Sequence, residues 1–179
     1  MKVLSQARRI CGYQLRILRG NYKLYLIPVC LFVYMLNELI PIRDFLFSVN
    51  EKASPFLLPF IFNDVMLTAS IFVAAMLFFI DAPFYDKYQL FVIMRGGTSE
   101  WVLGHIMYIF SVSILYMLCL TGISILIIFP NVCLSGEWGR IWTTLALTDA
   151  GEQFGLSFGV SGYLIFEYGP LELSLIHIS

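Results

Sequence analysis

DAPFYDKYQLFVIMRGGTSEW, residues Asp81–Trp101, is a polar break between two long apolar runs, and its reading decides how the chain folds. The 179 residues are 59% hydrophobic and 13% charged, with a mean hydropathy of +0.82, well outside the range of a soluble domain. This composition predicts an all-α fold: a polytopic α-helical membrane protein with three transmembrane helices and an N-terminal amphipathic interfacial helix. Within the break, Asp86 is a suitable N-cap, and Gly96 and Gly97 are suitable terminators. They delimit a helix of two to three turns over Lys87–Arg95 whose interior, YQLFVIM, is apolar on nearly every side. A short helix of that kind must bury itself in the bilayer interface or in a protein partner. A second helix is expected from Thr98, with Thr98 as its cap, Glu100 in the first turn where the dipole favours an acid, and Trp101 at the interface.

Downstream, residues 101–129 read as the third span, closed by Pro130 and Asn131. Ser111, Ser113, Thr121, Gly122 and Ser124 give it the small residues that let helices approach closely. His105, about one turn in, reads as hydrogen-bonded structure or as a ligand or proton relay. Upstream, Asn63 and Asp64 interrupt an apolar run, and Pro55 and Pro59 argue against a clean helix before them. Residues 43–63 are therefore expected as an extracytoplasmic loop and entry segment, and 64–84 as the second span. Two readings of Asp64 stand: a helix-start residue at the headgroups, or a carboxylate lining a substrate path, because a charge inside hydrocarbon is costly.

Residues 24–42 form the first predicted span, with Pro28 in its opening turns and Glu38 at its far interface. Residues 1–23 carry six positive charges and no acid. Leu4, Ala7, Cys11, Leu15 and Leu18 recur at helical spacing, with Arg8, Arg9, Arg16 and Arg19 beside them. The expected helix lies on the membrane, its stripe sunk into the interface and its basic side toward anionic headgroups; the alternative is a basic flank to the first span. With the N-terminus inside, the cytoplasmic segments hold eight Lys and Arg, against Arg43, Lys52 and Arg140 outside. That asymmetry predicts a cytoplasmic N-terminus, a cytoplasmic segment at 85–100 and an extracytoplasmic segment at 130–172.

No Walker loop, G-x-G-x-x-G, H-E-x-x-H or G-x-S-x-G occurs. No catalytic residue is expected, and the scattered Cys11, Cys30, Cys119 and Cys133 indicate neither a disulfide framework nor a metal site. The basic residues gather at a membrane boundary without a folded basic domain, which argues against nucleic-acid binding. The final residues 173–179, ELSLIHIS from its second letter on, resemble a translated sequencing-adapter tail, which implies a C-terminally truncated fragment.

The order of a basic amphipathic helix, two spans, the loop DAPFYDKYQLFVIMRGGTSEWVLGHIMYIF and a third span resembles the membrane subunits of ABC type-2 transporters, the bacterial exporter-type permeases. The portion R-G-G-x-x-x-W-x-x-G (Arg95, Gly96, Gly97, Trp101, Gly104) is similar to permease-like proteins of Gram-positive bacteria, and the likeness covers residues 1–150. The resemblance implies a permease subunit in the bacterial cytoplasmic membrane, surrounded by membrane lipids and working as a homodimer or beside a second permease subunit. It implies that Asp86–Arg95 is a coupling helix docking into a separate ABC-type ATPase subunit, which binds ATP, so that this chain needs no cofactor. Tyr88, Phe91 and Val92 would anchor the helix beside its cap Asp86, Arg95 would pair with an acid at the rim, and Gly96 and Gly97 would form the hinge. The family's usual six spans against three here agree with truncation. The alternative is a non-transporting membrane scaffold or assembly protein that uses the same loop for binding alone.

Overall fold

The computed structural model describes residues 2–80, 91, 93–94, 97–133, 138–148, 151, 155, 165, 167 and 169. These are all-helical: α1 (Lys2–Gly20), α2 (Lys23–Glu38), α3 (Ile40–Val49), α4 (Leu58–Ile61), α5 (Val65–Phe79), α6 (Thr98–Ile128) and α7 (Gly139–Leu147). Of these, α6 is by itself long and apolar enough to cross a bilayer. Its 31 residues rise about 46 Å, more than the hydrocarbon core of about 30 Å.

The expected first span, 24–42, falls on α2 and the start of α3, which are long and apolar enough to span only as a bent pair. α2 stops at Glu38, and the chain bends by 57° into α3. The cause is Pro41, at the start of α3, which has no N–H to give Asn37 and whose ring crowds that carbonyl. Arg43, Asp44 and Ser48, expected in a loop, are helical instead. α3 closes at Asn50, whose left-handed φ of 52° lets its N–H return to the Leu46 carbonyl. α5 covers 15 residues of the expected 64–84, and 81–84 lie outside the described residues.

The chain divides into two compact units. One comprises Met1–Cys30 and Val73–Cys119. In it Ala7, Ile10, Cys11, Gln14 and Leu18 of α1 are buried, together with Tyr108, Val112 and Tyr116 of α6. Phe78 of α5 packs on Tyr116 with ring centres 5.8 Å apart. The buried stripe of α1 departs from the expected one: Leu4 is exposed and Leu15 half-buried, while Ile10 and Gln14 take the covered positions. Ile10 is covered where α1 meets Gly104, and Gln14 where it meets His105.

The other unit comprises Leu31–Phe72 and Leu120–Ser179. Its centre is aromatic. Phe60 of α4 stacks on Trp142 of α7 at 4.7 Å and lies 5.3 Å from Trp138. The Trp142 indole N–H donates to the Ser54 carbonyl, and the Ser54 hydroxyl donates to the Trp138 carbonyl. Two backbone bonds of 2.8 Å pair Ala53 with Asn131 and Cys133. These bonds satisfy polar backbone that has left the helices. Gly139 and the β-branched pair Thr143 and Thr144 disguise this helix in the sequence, although Ile141, Trp142 and Leu145 fall at the i, i+1, i+4 spacing of a buried face.

Candidate functional site

The elbow before α6 is built around Gly97. Phe91, Ile93 and Met94 are helical, and the Gly97 N–H donates to the Ile93 carbonyl at 2.9 Å, ending that helix. The Gly97 carbonyl in turn accepts the Trp101 N–H at 3.2 Å, starting α6. One residue thus serves both helices, with φ at +90°, a region that glycine enters without the penalty a Cβ imposes. The Glu100 carboxylate occupies the place a Cβ on Gly97 would take. This geometry corrects the expected cap: Gly97 holds the cap position, and Thr98 is the first helical residue.

Of the expected docking residues, Phe91 is described and is 59% exposed, and Met94 three residues on is 71% exposed. The two share a helix face, so an apolar pair stands open just before the elbow. Asp86, Tyr88, Val92, Arg95 and Gly96 lie outside the described residues. The sequence does not single out Met94, although its i+3 spacing from Phe91 places the two on one helix face.

Behind the elbow, α6 carries a ladder of rings on one face. Trp101 stacks on His105 with centres 5.6 Å apart and planes 1° from parallel, and His105 lies 5.8 Å from Tyr108. The spacings of four and three residues produce this face. Gln14 of α1 meets His105 through Nε2 and Nδ1 at 3.1 Å; with the amide N–H donating, the ring proton lies on Nε2. Gln14 is buried, and its Oε1 has no hydrogen-bond partner among the described residues. Turning the amide over would let Oε1 accept from Nδ1–H, so the pair accommodates either tautomer. One residue earlier in the chain, Gly104 lets α1 approach so closely that a Cβ would lie 2.9 Å from the Ala7 carbonyl oxygen and from Ile10. Helix α1 is thereby fastened to the first turns of the long helix that leads out of the elbow.

Asp64 does not belong to this site. Its Oδ1 accepts the Leu67 N–H at 2.8 Å, capping α5, and the Thr68 hydroxyl donates to the nearby Phe62 carbonyl. Among the described residues, no three His, Cys, Asp or Glu side chains come together as a metal site would require. No family model, curated protein or solved structure matches the chain.

Proposed function

We propose that this chain is an integral membrane permease subunit of an ABC-type transporter, moving its substrate across the cytoplasmic membrane with a separate ATPase subunit. One observation carries the reading: an exposed apolar pair, Phe91 and Met94, ends at a glycine elbow whose other arm is the bilayer-length helix α6. A partner that gripped the pair would pull on the long helix through a single residue, Gly97. The resemblance to ABC type-2 membrane subunits names that partner an ATPase, whose closure on ATP would move the docked segment and tilt α6. In this reading the N-terminus and the elbow face the cytoplasm, as the loop charges favour. Asp64 remains a candidate for the substrate path once its helix is inserted, and a second permease copy or subunit would complete that path.

The reading is tested by purifying the tagged chain from its native membrane and looking for a co-purifying P-loop ATPase, for the parent and for Phe91→Asp. Loss of the ATPase from a variant that still inserts into the membrane is expected; retention of it removes Phe91 from the interface. A second reading, a non-transporting membrane scaffold, is favoured by the 15-residue length of α5, which rises about 22 Å and falls short of the hydrocarbon core. A co-purifying ATPase whose turnover does not respond to the chain would favour it.

A further inference from the structure

Ala7, Ile10, Cys11 and Leu18 of α1 are covered by protein, while Val3, Leu4 and Tyr13 stay exposed. α1 also leaves an arc of charge open. Arg8, Arg9, Arg16 and Arg19 are all exposed and, with residues set 100° apart, share one arc of about 100° on the side away from Ala7, Gln14 and Leu18. They form no ion pair among the described residues, and no acid occurs in the chain before Glu38. Between them, Gly12 is also exposed, with nothing within 4 Å of the position of a Cβ, so the arc is unobstructed.

The position of this face follows from its attachment. α6 is longer than the hydrocarbon core by about 16 Å in all. Gly104, against which α1 packs, is about 9 Å along α6 from Thr98, within the length by which α6 exceeds the core. Gln14 to His105 makes a second fastening at the same level. The arginine arc is thus tied to the first turns of α6, and each guanidinium is able to fork onto two phosphate oxygens. From this we infer that the arginine face of α1 is a binding surface for anionic phospholipid headgroups, selective by charge. The inference rests on the membrane reading of α6 and needs no ATPase.

The full chain is tested in nonionic-detergent micelles by energy transfer from its tryptophans to phosphatidylglycerol carrying a dansyl group on an acyl chain. The transfer should be displaced by unlabelled phosphatidylglycerol and not by phosphatidylcholine, and should collapse in high salt. Each Arg→Gln change should weaken it about fivefold, and Arg8→Gln, Arg9→Gln, Arg16→Gln and Arg19→Gln together about six hundredfold. The four Arg→Lys changes should retain most of the preference. Glutamine keeps helix propensity, so circular dichroism of the quadruple variant should match the parent. Unchanged binding by a folded quadruple Gln variant overturns the inference. Equal displacement by phosphatidylcholine does the same, and displacement by soluble tripolyphosphate at matched charge makes the face a site for free anions. Release of the parent chain from membranes by alkaline carbonate overturns the membrane reading itself, whereas failure of Phe91→Asp to lose the ATPase leaves the lipid result standing.

Discussion

Replacing Gly104 by alanine adds one methyl group, and its consequence can be worked from the geometry. The new Cβ would lie 2.9 Å from the Ala7 carbonyl oxygen and from Cβ and Cγ2 of Ile10. Comfortable separations for such pairs are about 3.5–4.0 Å, so α1 must retreat by roughly 0.6–1 Å. A backbone carbonyl cannot turn aside as a side chain does. Overpacking of this kind costs about 1–3 kcal/mol, and stretching the 3.1 Å bond from Gln14 to His105 removes about 1 more. Alanine's better helix propensity returns about 1 kcal/mol, leaving a net loss of about 2. At Gly12, where a Cβ meets nothing within 4 Å, the same change should stabilise α1 by about 1 kcal/mol. The assay is limited trypsin cleavage at Arg8 and Arg9 of the full chain in detergent, beside its thermal unfolding midpoint. Gly104→Ala should raise the detached fraction of α1 about thirtyfold, and Gly12→Ala should lower it. If the two variants shift cleavage in the same direction, the close packing of α1 on α6 is not what holds it.

Three further outcomes follow from hydrogen bonds with defined partners. Gln14→Leu and His105→Leu singly should each destabilise the chain by about 1–3 kcal/mol, and together by less than their sum, because the double variant leaves no stranded polar group; full additivity in unfolding measurements would deny the pair. Asp64→Ala should cost about 1 kcal/mol by removing the cap of α5, while Asp64→Asn should cost only a few tenths; a loss of transport by Asp64→Asn with stability unchanged would return Asp64 to the substrate path. Trp142→Phe keeps the stack on Phe60 but removes the donor to Ser54, so it should lower stability by about 0.5–1.5 kcal/mol, against about 3–5 for Trp142→Ala.

The elements that were legible in the sequence are those governed by local rules. The long apolar run gives α6, the run of basic residues with helical spacing gives α1, and Asp64 stands where a cap is needed. The rest depends on neighbours. Pro41 sits inside a run apolar enough to span, so composition extended the first span through a residue that breaks it at 57°. The register of α1 depends on which of its residues meet Gly104, and Gln14 took a covered position because His105 lies opposite it, 91 residues away in the chain. α7 is held by the aromatic contacts of Phe60 with Trp138 and Trp142, which no periodicity within Gly139–Leu147 announces. For the candidate site, the glycine terminator was readable, but its double service to two helices was not. Gly97 satisfies one hydrogen bond in each direction, and that appears only when both helices are in place.

The docking claim is tested most directly at Met94, which is exposed beside Phe91. A photo-crosslinking residue substituted for Met94 in the full chain, irradiated in native membranes, should yield an adduct with an ATP-binding subunit, and its yield should change when a non-hydrolysable ATP analogue is added to permeabilised cells. Adducts confined to lipid, with or without nucleotide, would contradict the account and leave the helix before Gly97 as a membrane anchor.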